Sequence, residues 1–257
     1  MDLCIAATNG QIDIVKQLLT VLSIEEINKQ NDCGGMTALH YACIYDQIKV
    51  IKLMLSCAKV NPNTVDGNGN TPLSESVRML RVNAVKLLIG NPQINVNHKN
   101  NNGNTCLHIA VAAAVVAHDN KSEIEIVKML LSRYDTIVDA TNGDGVTIIH
   151  WLLEPDNLEL LKILLVMRPI PMVWRDSDNN TILHLAYEKG DMSVIKEMKN
   201  HYSVALVNER SVNNRGQLPS QVAQSLGKMD LVEYAMISEV PSAFPFSLVS
   251  WLTSYFN

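Results

Sequence analysis

The chain has 257 residues, 47% of them hydrophobic and 18% charged, with a formal net charge of −5. The apolar share excludes wholesale disorder. The acidic balance argues against a nucleic-acid partner, which would call for a basic footprint. Five cysteines, an odd number with no C-x-x-C pair, indicate reduced thiols rather than a disulfide framework, and so a cytoplasmic setting. No basic stretch leads into an apolar run at the N-terminus, so no signal peptide is expected. No run of about 18 apolar residues predicts a membrane-spanning helix.

In chain order, a repeat emerges. Leu3-Cys4-Ile5-Ala6 matches Leu39-His40-Tyr41-Ala42, which follows Gly35-Met36-Thr37-Ala38. Thr71-Pro72-Leu73-Ser74, Thr105-Cys106-Leu107-His108, Thr147-Ile148-Ile149-His150 and Thr181-Ile182-Leu183-His184 repeat the motif. Thr37, Thr71 and Thr105 stand 34 residues apart. An eroded copy follows at Gly216-Gln217-Leu218-Pro219. The chain opens inside a copy and holds seven: roughly 1–31, 32–65, 66–99, 100–141, 142–175, 176–212 and 213–240. A tail, 241–257, comes last.

Each copy predicts two short helices. Thr71 can cap the first through its hydroxyl, with Pro72 at the first helical position and the helix running to about Leu80. The second carries one apolar stripe: Val50, Ile51, Met54 and Leu55, then Ala84, Val85, Leu88 and Ile89, then Ile126, Val127, Leu130 and Leu131. Asn, Gly and Asp clusters such as Asp66-Gly67-Asn68-Gly69 suit a hairpin between copies. Helices of about nine residues are too short to stand alone, so stacking must hold them.

These motifs resemble the ankyrin-repeat family, whose copy is a turn and two antiparallel helices around T-P-L-H-x-A. The resemblance implies an all-α solenoid of about seven stacked helix-turn-helix units with connecting hairpin loops. It places Asp32, Asp66, Asn100, Asn142, Asp176 and Asn213 at the turn position before Gly. It also implies a structural role for His40, His108, His150 and His184, bonding at the helix start and to the neighbouring hairpin.

Several copies depart from the pattern. The fourth holds about eight extra residues around Ala113–Lys121, read as a longer first helix and loop, or else as an apolar protrusion that touches a partner. The third carries Glu75 and Ser76 at usually apolar or small positions, and Leu80 where the loop Gly belongs. In the fifth, Trp151 replaces Leu and Pro155 falls late in the first helix. Asn179 replaces a turn Gly. About three extra residues fall near Asn208–Asn213. The uncharged tail holds all three phenylalanines and is read as a cap on the last repeat, ahead of partner docking or a membrane anchor.

Catalytic chemistry finds little support. The four motif histidines sit one to a repeat, and His98, His118 and His201 have no ligand-spaced companions. Cys43 and Cys57 fall on helix positions, and Cys33 lies at a hairpin tip with nothing to lower its pKa. No phosphate loop, nucleophile elbow or zinc-protease motif occurs. No cofactor, metal or catalytic residue is expected.

What the resemblance implies is protein binding through hairpin tips and inner-helix ends. The expected contact residues are Ile44, Tyr45, Asn68, Arg78, Met79, Asn101, Asn102, Asp144, Trp151, Glu154, Asp178 and Glu188. Ala112, Ala113, Pro155 and Lys189 share the inner-helix positions. The asparagines, including Asn70 and Asn104, suit hydrogen bonding to a partner. Early copies offer apolar groups and one base, later ones acids, so a partner with an apolar and a basic end would fit. The expected role is a non-catalytic protein-binding scaffold or adaptor, monomeric without its partner, with no nucleic-acid or membrane contact. The alternative is an inhibitor or targeting subunit, or a pathogen effector in a host cytosol, with the tail as a second contact.

Overall fold

The computed structural model describes residues 2–32, 34–117, 121–168, 175–201 and 211–238. Cys33, His118 and Asp119, the extra residues near Asn208 and the tail lie outside them. The described residues form fifteen α-helices and no strand, with one isolated bridge between Arg175 and Thr181. The chain divides into two compact units, Met1–Leu152 with Glu159–Ile170, and Leu153–Leu158 with Pro171–Asn257.

The first unit holds α1 (Leu3–Thr8), α2 (Ile12–Val21), α3 (Ile24–Ile27), α4 (Ala38–Ile44), α5 (Ile48–Leu55), α6 (Pro72–Arg78), α7 (Val82–Ile89), α8 (Cys106–Ala117), α9 (Lys121–Ser132), α10 (Ile148–Leu152) and nearly all of α11 (Leu158–Met167). First helices pack in one row, α1 on α4 on α6 on α8 on α10, and second helices in another, α2 on α5 on α7 on α9. Most of the expected stripes are buried, namely Val50, Ile51, Met54, Ala84, Val85, Leu88, Ile126, Val127, Leu130 and Leu131, while Leu55 and Ile89 are half-buried. The second unit holds α12 (Ile182–Lys189), α13 (Met192–His201), α14 (Pro219–Ser225) and α15 (Met229–Ser238). There α12 packs on α13 and α14, and α14 on α15.

The start of each first helix shows how one copy grips the next. The Thr37 amide donates to His40 Nδ1 at 3.1 Å, and His40 Nε2 lies 3.0 Å from the Asn70 carbonyl of the next hairpin. His108 reaches the Val146 carbonyl at 3.3 Å, and His184 reaches that of Gln217 at 2.9 Å, with the same grip on Thr105 and Thr181. A ring nitrogen that accepts an amide is unprotonated, so Nε2 carries the proton and donates. His150 makes the same bond to the Thr147 amide at 3.1 Å. Thr71 caps α6 through its hydroxyl, as expected. In the seventh copy Gln221 takes over the accepting role, its Oε1 2.8 Å from the Leu218 amide.

The hairpins stack through their backbones. The Gly67 amide donates to Gly34, Asn101 to Asn68 and Gly143 to Asn102, at 2.8–3.0 Å. The carboxylate or amide of Asp66, Asn100, Asn142, Asp176 and Asn213 closes each turn by accepting amides two and four residues on. At the hairpin that opens the second copy Asn31, rather than Asp32, takes this part, accepting the Met36 amide five residues on at 2.9 Å. Gly34 and Gly35 both take positive φ there, which lets the turn hold one more residue.

Other departures have local causes. The first helix of the third copy stops at Arg78, short of Leu80, which sits at φ +55° in the place of the loop glycine. Asn179 takes φ +62° in the place of the turn glycine. The extra residues of the fourth copy lengthen α8 and α9 to 12 residues each. In the fifth copy α10 ends at Leu152, and Pro155 opens a 3-10 turn to Asn157 instead of lying in the first helix. Proline holds the residue before it out of the helical region, and Glu154 has ψ 144°.

A second polar ladder runs behind the hairpins. Asn28, Asn63 and Asn97 each donate to a carbonyl of the next copy (Lys59, Gln93, Asp135) and accept an amide two residues further on, at 2.6–2.8 Å. Basic side chains then finish the open carbonyls of the preceding copy. Lys59 reaches Leu19 and Leu22, Arg133 reaches Ile89, Asn91 and Ile94, and Arg168 reaches Arg133, Tyr134 and Thr136.

Three outcomes test this packing by urea unfolding. Gly69 has φ +74°, and a Cβ there would lie 2.8 Å from the Asn101 backbone nitrogen; Gly69→Val should cost at least about 1 kcal/mol. Leu164 is fully buried, and Leu164→Ala should cost about 2–5 kcal/mol. Burial holds the His40, His108 and His184 pKa values below the ordinary imidazole value. The unfolded chain therefore binds more protons near pH 6. Stability should be complete above about pH 6.5 and fall as the pH drops through that value towards the folded pKa values. His40→Gln, which copies the Gln221 arrangement, should flatten that dependence.

Candidate partner-binding surface

The expected contact residues fall on two kinds of element. Ile44 closes α4 and Tyr45 caps it; Arg78 closes α6 and Met79 caps it. The two ends are neighbours, because α4 packs on α6 and Arg81 Nε donates to the Ile44 carbonyl at 2.8 Å. Tyr45 is 54% exposed, while Ile44 and Met79 are half-buried. Adjoining helix ends thus carry an aromatic ring and a thioether, side chain types enriched at interface centres.

Arg78 is not an unattached base. Its guanidinium grips the Glu75 carboxylate, with Nη2 2.5 Å from Oε2. Glu75 is 1% exposed and also accepts from Asn70 Nδ2 at 2.9 Å. A carboxylate buried that deeply must be paired, so the base neutralises an acid of its own helix. Trp151 is likewise engaged within the first unit: its ring meets that of His108 edge-on, with centroids 5.8 Å apart.

The tips differ among themselves. Asn68, Asn102 and Asp144 are exposed. Asn101 is exposed too, but its side-chain amide donates to the Gly67 carbonyl at 3.1 Å. Asn70 is buried between Glu75 and Asn100, so it serves the fold and faces no partner. Asn104 is half-buried. Ala112 and Ala113 lie inside α8 rather than at a helix end.

In the second unit Asp178 and Glu188 are exposed. Glu154 is paired with Lys189 at 2.5 Å, which cancels its charge locally. Leu226 caps α14 in the position that Tyr45 and Met79 occupy in their copies, and it is 51% exposed. The sequence reading passed over it, although its place eight residues after the motif position held by Leu218 was the available signal.

Nothing here favours a nucleophile. Burial pushes the Cys43 and Cys106 thiols up to about 12, and burial with the nearby Asp2 pushes Cys4 up to about 11. Cys57 lies just past α5 rather than on it. Among the described residues no three His, Cys, Asp or Glu side chains gather to hold a metal ion, and no helix is long and apolar enough to cross a membrane.

The family model for ankyrin repeats, in three copies, matches residues 3–100 and 83–170. The chain belongs to the ankyrin-repeat family. It is 34% identical over 79 residues to the mitochondrial liver isoform of glutaminase from Mus musculus, over 30% of this chain and 12% of that protein. It is 26% identical over 183 residues to the nuclear factor NF-kappa-B p105 subunit of Gallus gallus, over 69% of this chain and 14% of that protein. The chain thus spans only 12–14% of the length of these relatives. Among solved structures, the ankyrin-repeat domain of Bcl-3, a member of the IkappaB protein family, aligns with a TM-score of 0.72 at 20% identity, covering 91% of this chain and 98% of that one. The ankyrin-repeat protein EF0377 aligns with a TM-score of 0.61 at 19% identity, covering 78% and 98%. These likenesses show the ankyrin fold.

The Arg78–Glu75 pair yields a prediction for urea unfolding. Arg78→Leu should destabilise by about 1–3 kcal/mol, because Glu75 is left buried without its cation. Adding Glu75→Leu should recover most of that loss.

Proposed function

We propose that this chain is a non-catalytic protein-interaction scaffold or adaptor, monomeric before it meets its partner and acting in the cytoplasm. Membership of the ankyrin-repeat family supports the class of function. The observation that carries the surface is the pairing of Tyr45 and Met79 on adjoining helix ends. The contact set in the first unit is Ile44, Tyr45, Asn68, Met79, Asn101, Asn102 and Asp144. Asp178, Glu188 and Leu226 supply it in the second. The partner is a protein with an apolar segment for Tyr45 and Met79 and basic groups for the acids.

Affinity capture from eukaryotic lysate, read by mass spectrometry, tests this reading. The comparison is between wild type and Tyr45→Asp/Met79→Asp, with unaltered melting of the variant as the control. Arg78 is left in place, because reversing it would unpair Glu75. The specific partner should bind the variant at least about tenfold more weakly. Undiminished capture would move the contact elsewhere on the chain, with 241–257 the next segment to delete.

A further inference from the structure

The seventh copy ends its two helix rows differently. In α14, Gln221 and Gln224 stand 37 residues after His184 and Tyr187 of α12. Those two α12 residues are buried, and His184 reaches forward to the next hairpin. Their α14 counterparts are exposed amides. The first-helix row is therefore closed by polar side chains that need no further cover, the device a terminal repeat requires.

The second-helix row is not closed in this way. Met236 of α15 holds the place of Leu55, Ile89 and Leu131 at the ends of α5, α7 and α9, and Met229 holds that of Ile48, Val82 and Ile124. In α13 the same place belongs to Lys199, whose ammonium lies 4.8 Å from the ring centroid of Tyr234 on α15, so this position faces onward to the following copy. Met229 and Met236 are two helical turns apart on one stripe, and they are 53% and 40% exposed. Interior-type side chains thus occupy the onward stripe of the last copy, while the adjoining helix has gone polar.

What could cover that stripe continues the same chain. The residues after Ser238 number 19, and Ser238 ends the helix that carries the stripe. A ten-residue helix is about 15 Å long, and 19 residues span about 28 Å even as a helix, so the segment can turn and run back along α15. Residues 241–257 carry no charge. Leu248, Trp251, Leu252, Tyr255 and Phe256 recur at helical spacing, with Ser247, Ser250 and Ser254 between them. That pattern supplies one apolar face for the methionines and one hydroxyl face for water. It supplies no Lys or Arg for lipid headgroups, which an interfacial anchor would carry.

We infer that 241–257 docks in cis on the Met229–Met236 stripe of α15, capping the second-helix row while α14 stays bare. Two measurements on the full-length chain test it. Benzoylphenylalanine placed at 236 should crosslink to 241–257 of the same molecule, in a yield independent of protein concentration. By hydrogen exchange, 241–257 should be protected in wild type and exchange at least about tenfold faster in Met229→Gln/Met236→Gln. These surface changes should leave α12 protection unaltered and so report on docking rather than folding. A crosslink between molecules would assign the stripe to a second copy and overturn the inference. Protection of 241–257 that arises only on adding phosphatidylcholine–phosphatidylserine vesicles would assign the segment to membranes and overturn it. So would equal exchange in wild type and variant. None of these readouts depends on Tyr45 or Met79, so the proposed binding surface stands or falls separately.

Discussion

A helix of six to ten residues keeps its shape only if neighbours bury its sides and complete its ends. Most helices of this chain fall in that range, below the length at which a helix is even marginally stable in water. Every copy therefore depends on the next for two things, apolar cover and hydrogen-bond partners. The apolar part is the stripe of each second helix, which buries residues such as Ile51, Val85 and Ile126 to a few percent or less. The polar part is directional: a histidine, an asparagine or a basic side chain of one copy reaches a backbone group of its neighbour. The hydrophobic effect alone has no such direction, so these bonds are what hold successive copies in one spacing.

Where copies depart from the common pattern, other residue types satisfy the polar groups left behind. Gln221 accepts the amide that a motif histidine accepts elsewhere. In the third copy, where Ser74 stands in the histidine place, Asn100 donates to Asn70, which in turn donates to Glu75. Glu75 would be costly alone in the interior; Asn70 and Arg78 satisfy it. The requirement is to satisfy each buried polar group, and several residue types can meet it.

The structure spends Arg78, Trp151, Glu154 and the amide of Asn101 on internal partners. Tyr45, Met79 and Leu226 cap first helices, Tyr45 and Leu226 about half exposed and Met79 half-buried. On the proposed binding surface, side chains fixed at helix ends would lose little freedom on meeting a partner, which favours affinity.

The recurring motif, the two-helix plan, most of the buried stripes and the positions of the turn glycines were legible in the amino-acid sequence. Those features follow from local spacing and local backbone preference, and periodicity exposes both. The sequence also contained the recurrence of Asn63 and Asn97, but nothing local says that an asparagine in a loop reaches across to the next copy. Only the tertiary structure decided which polar side chains are consumed internally, why Asn31 rather than Asp32 closes its turn, and where Pro155 stops α10. It also showed that Leu226, like Tyr45, is about half exposed. Contacts such as Asn101 with Gly67, Glu154 with Lys189 and Trp151 with His108 join residues more than 30 apart in sequence, so distance in space selects the partner, while the local pairs, such as Arg78 with Glu75, depend on which face of the helix is buried.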